Sequence, residues 1–395
     1  MKILYICSAD LSGRSGSLGS VRHILEVSEN LCRLGNEIKL IAPRYSRYSQ
    51  STPVKIIYVP LVKIRFLRTL TYEILAPFLI FAWILFWKPT IIYWRQSYLT
   101  IFPVLLSSVL RKKIITEVNG LTIDEVSPEQ ISKLRKRVIL FFEKYNYKNS
   151  THLIGVAPVI KERIIKSYKL PEYKVSVILN GVNSDRMQVI DSREAKKTIG
   201  IDPDIKVIGF VGHFFPWDGI EYLIEAAPKI IQKQKNVRFL VIGHGIWGVH
   251  LPKLVAKMGL NDYFIFAGLV PWEKLYLYVN AFDVATAPYS KSININSGRS
   301  SLKILEYFAC NKPVVASNTE AIPEIADIKA KSLGMTVNPE DPNELARAIL
   351  YFLESSGKPF NMGNRGRDYI SKERSWEVVA RNTFNIINTM ANPNS

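Results

Sequence analysis

Short runs that are apolar at consecutive positions, and so have no face left for water, recur along this chain between segments of helical period. The first three are KILYICSA, then the helix-period segment VRHILEVSENLCRLG, then EIKLIAP, a strand–helix–strand order with Gly35 as helix C-cap. Further apolar runs follow at 55–59, 90–94, 113–117 and 152–156. Strands apolar on both faces, separated by helices, specify a parallel sheet covered on each side. The series pauses at 177–183 (VILNGVN), where an apolar run ends in an Asn-Gly turn ahead of a polar stretch, 185–204. A second series then begins: strand 206–212, helix 220–234, strand 237–243, helix 251–258 and strand 263–267. It is extended by 281–287, 303–309, 313–317 and 334–337, and the tail 375–390 (SWEVVARNTFNIINTM) reads as a helix with no strand after it. The expected organisation is an α/β fold of two Rossmann-like domains, residues 1–183 and 184–372, with 373–395 as a C-terminal helix packing back on the first.

A chain of 395 residues with 48% hydrophobic side chains can bury a sizeable core, so disorder and disulfide-dependent scaffolds are excluded. Cys7, Cys32 and Cys310 are scattered, with no CxxC or metal spacing, which fits a reducing compartment. The start, 1–9, resembles a first strand better than an export signal.

Charge divides the chain. The formal net charge is +18, and residues 1–180 hold 27 basic and 12 acidic side chains against 25 and 22 in 181–395. A cationic half attracts polyanions, either nucleic acid or an anionic lipid surface. Between 54 and 113 nine basic residues and one acid, Glu73, are interleaved with Phe78, Phe81, Trp83, Phe86 and Trp87; 131–149 (ISKLRKRVILFFEKYNYKN) repeats the combination. Aromatics inside apolar runs do not make the stacking platforms that nucleic-acid binding needs. The longest run, 74–87 (ILAPFLIFAWILFW), is 14 residues, short of the roughly 20 that a spanning helix requires. It reads either as a core helix or as one lying in a membrane interface.

Chemistry-bearing motifs are few. The glycine loop 12–20 (SGRSGSLGS) between strand and helix suits a close approach to a phosphate. Gly243-His-Gly245-Ile-Trp-Gly248 matches GxGxxG after a strand, but no acidic residue ends a following strand at the dinucleotide spacing, so it reads as a structural turn. The five histidines, His213 among them, show no zinc spacing, and Walker A and GxSxG are absent. The most specific segment is 300–317, SSLKILEYFACNKPVVAS, where Lys303 and Glu306 lie three apart on one helix face.

That segment resembles the donor-binding signature of retaining nucleotide-sugar glycosyltransferases, specifically family 4 with its two facing Rossmann-like domains (the GT-B fold). The similarity is to a bacterial branch with SPLK before the glutamate and EVN in the first domain, and it extends through IIYWR, ITEVNG, THLIGVAP, VIGFVGHFFPWDGIEYLIEAA and FAGLVPWEKLYLYVNAFDVATAPY. The resemblance implies that Glu306 holds the donor ribose, that Lys303 meets the diphosphate, and that amides around Ser300, Ser301 and Leu302 complete a phosphate cradle. It further implies that Gly19 faces the donor phosphate, that Glu117 and Asn119 look toward sugar or acceptor, and that Arg95 borders them. Three departures stand out, the first being that Asn119 stands where the family frequently has a histidine in the first domain. Gly298 occupies the first position of the family's Glu-x7-Glu pair, and the usual basic pair for the diphosphate is replaced by His213 and by Asp218, an acid that repels phosphate. Arg299, Lys303 and His213 are then the groups expected to carry the phosphate charge.

The function implied is transfer of a sugar from a nucleotide-diphosphate sugar to a glycan or lipid-linked acceptor, without metal or other cofactor, on the cytoplasmic side, with peripheral contact to anionic membrane and no nucleic acid. A catalytically degenerate binding or scaffold protein and a nucleotide-sugar epimerase remain as alternatives.

Overall fold

The computed structural model describes every residue except 12–17, 47, 49–51, 63, 65–66, 98, 122–131, 292–299, 320–321, 356–357 and 393–395. It divides into two compact units, Met1–Asn180 with Trp376–Ser395, and Gly181–Ser375. The expected boundaries stood at 183/184 and 372/373.

The first unit is built on a parallel sheet of β1 (Lys2–Ile6), β2 (Glu37–Pro43), β3 (Lys55–Val59), β4 (Ile91–Arg95), β5 (Ile114–Val118), β6 (His152–Gly155) and β7 (Val175–Val177) in the order β3-β2-β1-β4-β5-β6-β7. Its helices are α1 (Leu18–Arg33), α2 (Arg68–Trp87), α3 (Phe102–Val109), α4 (Lys133–Asn149), α5 (Pro158–Tyr168) and, from the far end of the chain, α14 (Trp376–Ala391). The last helix belongs here because Trp376, Val379, Ala380, Thr383 and Ile387 form a buried stripe at helical spacing. α14 packs on α1, where Trp376 meets the His23 ring edge-on with centroids 5.2 Å apart.

The second unit has β8 (Lys206–His213), β9 (Val237–His244), β10 (Phe264–Gly268), β11 (Val284–Ala287), β12 (Val314–Ser317) and β13 (Gly334–Val337) in the order β10-β9-β8-β11-β12-β13, all pairs parallel. Around them lie α6 (Ser192–Thr198), α7 (Ile220–Lys233), α8 (His250–Lys257), α9 (Leu275–Asn280), α10 (Leu302–Ala309), α11 (Pro323–Lys331), α12 (Pro342–Glu354) and α13 (Lys358–Tyr369). The two-residue period of a strand explains why the apolar runs are continuous. Val207 and Val211 of β8 enter one core with Leu240 and Ile242 of β9, while Ile208 and Phe210 enter the opposite core with Phe239 and Val241. In this order the direction of winding reverses between β8 and β11, and the carboxyl ends of those two strands mark where a ligand binds in an open α/β sheet.

One expectation needs correction. The 14-residue apolar run is the larger part of a 20-residue helix, α2, which by length and composition alone could cross a membrane. The polar start RTLTYE holds nothing that stops a helix, so helical structure runs back past the apolar boundary. A stripe of Tyr72, Ala76, Ile80, Ile84 and Trp87 packs into the core beside Leu4, Ile6, Ile41 and Ile92 of the sheet. The Tyr72 hydroxyl donates to Cys7 O at 2.8 Å. α2 is therefore a sheet-covering helix on one side and apolar on the other.

Candidate active site

In the second unit the residues expected to meet a donor gather at the β8–β11 reversal. β8 ends at His213, whose ring centroid lies 5.5 Å from that of His244 at the end of β9. A 3-10 turn, Pro216–Asp218, leads through Gly219 into α7. Gly219 has φ +68°, and a Cβ there would stand 1.8 Å from Pro288 O, so only glycine lets the turn close against β11's exit. α10 approaches from the other side. Its Tyr307 hydroxyl accepts from Val211 N at 2.8 Å and donates to Thr286 O at 3.2 Å, tying the helix to the ends of both strands.

This placement brings Lys303 and Asp218 together. Lys303 Nζ lies 2.6 Å from Asp218 Oδ1, over the rings of Phe210 (4.2 Å) and Tyr289 (4.9 Å), with the two side chains only 11% and 9% exposed. A Cβ on Gly212 would come within 2.7 Å of the ammonium, so the glycine makes room for it. The sequence had cast Asp218 as a repulsive intruder. In the structure its charge is matched by Lys303, and the ammonium keeps two further N–H donors for another anion. Glu306, one turn along α10, is 5% exposed.

The expected amide cradle is corrected in part. Glu324 of α11, fully buried, accepts from Ser301 N at 2.8 Å and from Ser300 Oγ at 2.7 Å, and it is paired with Arg374. The Ser301 amide is thus satisfied within the protein, because a buried carboxylate is a stronger partner for a helix N-terminus than water. The Ser301 hydroxyl is 2.6 Å from Tyr289 OH. Leu302 opens α10. Arg299 and Gly298 lie outside the described residues, as do 12–17 of the glycine loop; Gly19 sits in the first turn of α1. The Gly243–Gly248 turn is a packing device: Phe214 N donates to His244 O, Trp247 N donates to Phe214 O, and a Cβ on Gly243 would lie 1.7 Å from Gly212 O.

The first unit holds a second constellation around Glu117 at the end of β5, 2% exposed. Its Oε2 accepts from Tyr93 OH at 2.5 Å, and its Oε1 accepts from Arg95 at 2.7 Å and Asn119 Nδ2 at 2.7 Å. His23 Nε2 of α1 is 2.9 Å from the same oxygen, and its Nδ1 is 2.8 Å from Asn180 Oδ1. Burial alone would raise the Glu117 pKa, but His23, Arg95 and the Tyr93 hydrogen bond hold it well below the usual carboxylate range. Glu117 is an ionised anchor, its Oε1 shared by His23, Arg95 and Asn119 and its Oε2 held by Tyr93. Asn119 is oriented by donating its amide N–H to Glu117, which leaves the carbonyl oxygen as its acceptor group. His23, Tyr93, Asn180, Glu324 and Arg374 went unnoticed as site residues because each reaches its partner across a long sequence separation, with no local spacing to mark it.

Two family models match this geometry's two halves. Residues 18–186 match the model described as Glycosyltransferase Family 4, and residues 205–355 match Glycosyl transferases group 1. The chain belongs to glycosyltransferase family 4. An uncharacterized glycosyltransferase of Methanocaldococcus jannaschii is 31% identical over 241 residues, 60% of each chain. A GDP-mannose-dependent monoacylated alpha-(1-6)-phosphatidylinositol monomannoside mannosyltransferase of Corynebacterium glutamicum is 24% identical over 198 residues, 50% of this chain and 51% of that one. The chain thus spans between half and three-fifths of the length of these relatives. Among solved structures, the sucrose-phosphate synthase of Thermosynechococcus elongatus superposes with a TM-score of 0.78 at 18% identity, covering 98% of both chains. The fold of this family 4 member is GT-B.

Proposed function

We propose that this protein is a retaining glycosyltransferase that takes a sugar from a nucleoside-diphosphate sugar bound by the second unit and places it on a glycan or lipid-linked acceptor bound by the first. The observation that carries the reading is the seat of Lys303 and Glu306: one helix brings both to the β8–β11 reversal of a family 4 chain, with the ammonium held by Asp218 and able to accept a further anionic partner. The Corynebacterium relative, named for a GDP-mannose donor and a phosphatidylinositol mannoside acceptor, supports the donor class and the lipid-linked acceptor.

In this reading the bond from the anomeric carbon to the diphosphate oxygen breaks while the acceptor hydroxyl oxygen bonds to that carbon on the same face. The hydroxyl proton passes to the departing diphosphate, so no protein nucleophile is needed. Lys303 and the amino-terminal end of α7 offset the charge gathering on the leaving group, without a metal. Glu306 accepts from the ribose hydroxyls, and Asn119, held by Glu117, accepts from a hydroxyl of sugar or acceptor. The reaction is assigned to the cytoplasmic side, where nucleotide sugars are the donors.

Calorimetric titration with UDP, GDP and their common sugar derivatives tests the donor site, with Glu306→Ala as control. Saturable binding of one nucleotide, lost in the variant, is expected, and the anomeric configuration of the transferred sugar reads out retention. A folded protein silent to the whole panel would overturn the reading in favour of a scaffold.

A further inference from the structure

The first unit carries an apolar surface framed by positive charge. On α2 the buried stripe takes one side of the helix, and Leu70, Ile74, Phe78, Phe81, Leu85 and Phe86 occupy roughly half the circumference opposite it. Phe78 is 72% exposed and Phe86 86%. From residue 74 to residue 87 no charged side chain interrupts this face. α3 packs against both α2 and α4 and adds Val109, 68% exposed, while α4 adds Leu134 and Phe141 at 72% and 59%. Monomeric proteins rarely leave this many large apolar groups together in water.

The charges around it select the occupant. α4 carries Lys133, Arg135, Lys136, Arg137, Lys144 and Lys148, all exposed. Its single acid, Glu143, is turned inward, 2% exposed, and accepts from the Tyr168 hydroxyl. On a helix Arg137, Lys144 and Lys148 lie beside the Leu134–Phe141 stripe, where long cationic side chains reach headgroups while rings enter the acyl boundary. Arg68 and Lys88 stand at the ends of α2, and Arg111 follows α3. A second copy of this chain would cover the apolar groups only by opposing like charges, which is unfavourable at low ionic strength. A sheet of anionic headgroups over hydrocarbon matches both halves of the surface. Spanning is opposed by the packing of α2, since Tyr72, Ala76, Ile80 and Ile84 would have to leave the sheet.

We propose that α2, α3 and α4 form a docking face for an anionic phospholipid bilayer, the α2 phenylalanines entering the interface and the α4 lysines and arginines binding the headgroups. The inference goes beyond sugar transfer and stands without it.

Flotation of the 395-residue chain with phosphatidylglycerol/phosphatidylcholine vesicles and with pure phosphatidylcholine vesicles, at low and high salt, tests it. The wild type is expected to float with the anionic vesicles at low salt and to be released by high salt. Phe78→Ser with Phe86→Ser, and separately Arg137→Glu with Lys144→Glu, are each expected to weaken partitioning roughly tenfold while leaving the melting temperature and nucleotide binding unchanged. Absence of flotation in the wild type overturns the proposal, and so does equal flotation on neutral vesicles. Self-association in sedimentation, abolished by the phenylalanine pair and unaccompanied by flotation, would assign the face to a second copy instead. Resistance to alkaline extraction would mean that α2 spans.

Discussion

Replacing Lys303 by Met separates what the Lys303–Asp218 pair does for the fold from what it does for a ligand. The substitution leaves the Asp218 carboxylate, 9% exposed and 2.6 Å from the ammonium it loses, without its counter-charge. Removing one partner of a buried pair costs about 3–5 kcal/mol, which for a unit of this size lowers the melting temperature by about 6–20 °C. Removing both charges together, Lys303→Met with Asp218→Leu, leaves no orphan and is expected to return stability to within about 1–2 kcal/mol of the wild type. Nucleotide binding should not return with it, because the ammonium that meets the diphosphate is gone. The assay is thermal unfolding of wild type, both single variants and the double variant, followed by calorimetry with the nucleotide that binds the wild type. A loss below about 1 kcal/mol for Lys303→Met would refute the burial argument. Wild-type affinity in the refolded double variant would refute Lys303 as the phosphate contact.

Further outcomes follow from the same geometry. Glu117→Gln strands His23 and Arg95 beside a neutral amide and should cost about 3–5 kcal/mol at neutral pH. Because the folded pKa of Glu117 is depressed, its stabilisation is complete above the ordinary value of 4.5 and is lost as pH falls below it. Acid unfolding should therefore be steep in the wild type and shallower in the variant, and equal slopes would contradict the assignment. Glu221, at the start of α7, is pushed up to about 7 by burial, with Glu225, Asp218 and Glu340 adding to the effect, and its Oε2 finds no hydrogen-bond donor among the described residues. A raised carboxylate weakens the fold as pH climbs from 4.5 to about 7, so Glu221→Gln should stabilise by about 1 kcal/mol at pH 8, allowing for its partial exposure, and by nothing near pH 4. Gly219→Ala forces a Cβ toward Pro288 O at φ +68° and should cost about 2 kcal/mol or more, measured by denaturant unfolding; a neutral result would mean that the turn has another conformation.

Local chemistry is legible in the sequence alone. Runs apolar on both faces dictated parallel sheets, their breaks located the strands to within about three residues, and SSLKILEY set Lys303 and Glu306 on one helix because three residues of α-helix return to nearly the same face. Where α2 begins was not legible, since RTLTYE is neutral toward helix and only packing on the sheet extends it.

The sequence by itself determined that two α/β units form and which segments carry charge, because periodicity and composition act between near neighbours. The tertiary structure alone decided which charges meet. Asp218 became the partner of Lys303, Glu324 took the Ser301 amide, and His23 came to Glu117 from 94 positions away, because parallel crossovers bring the ends of distant strands and helices to one edge of a sheet.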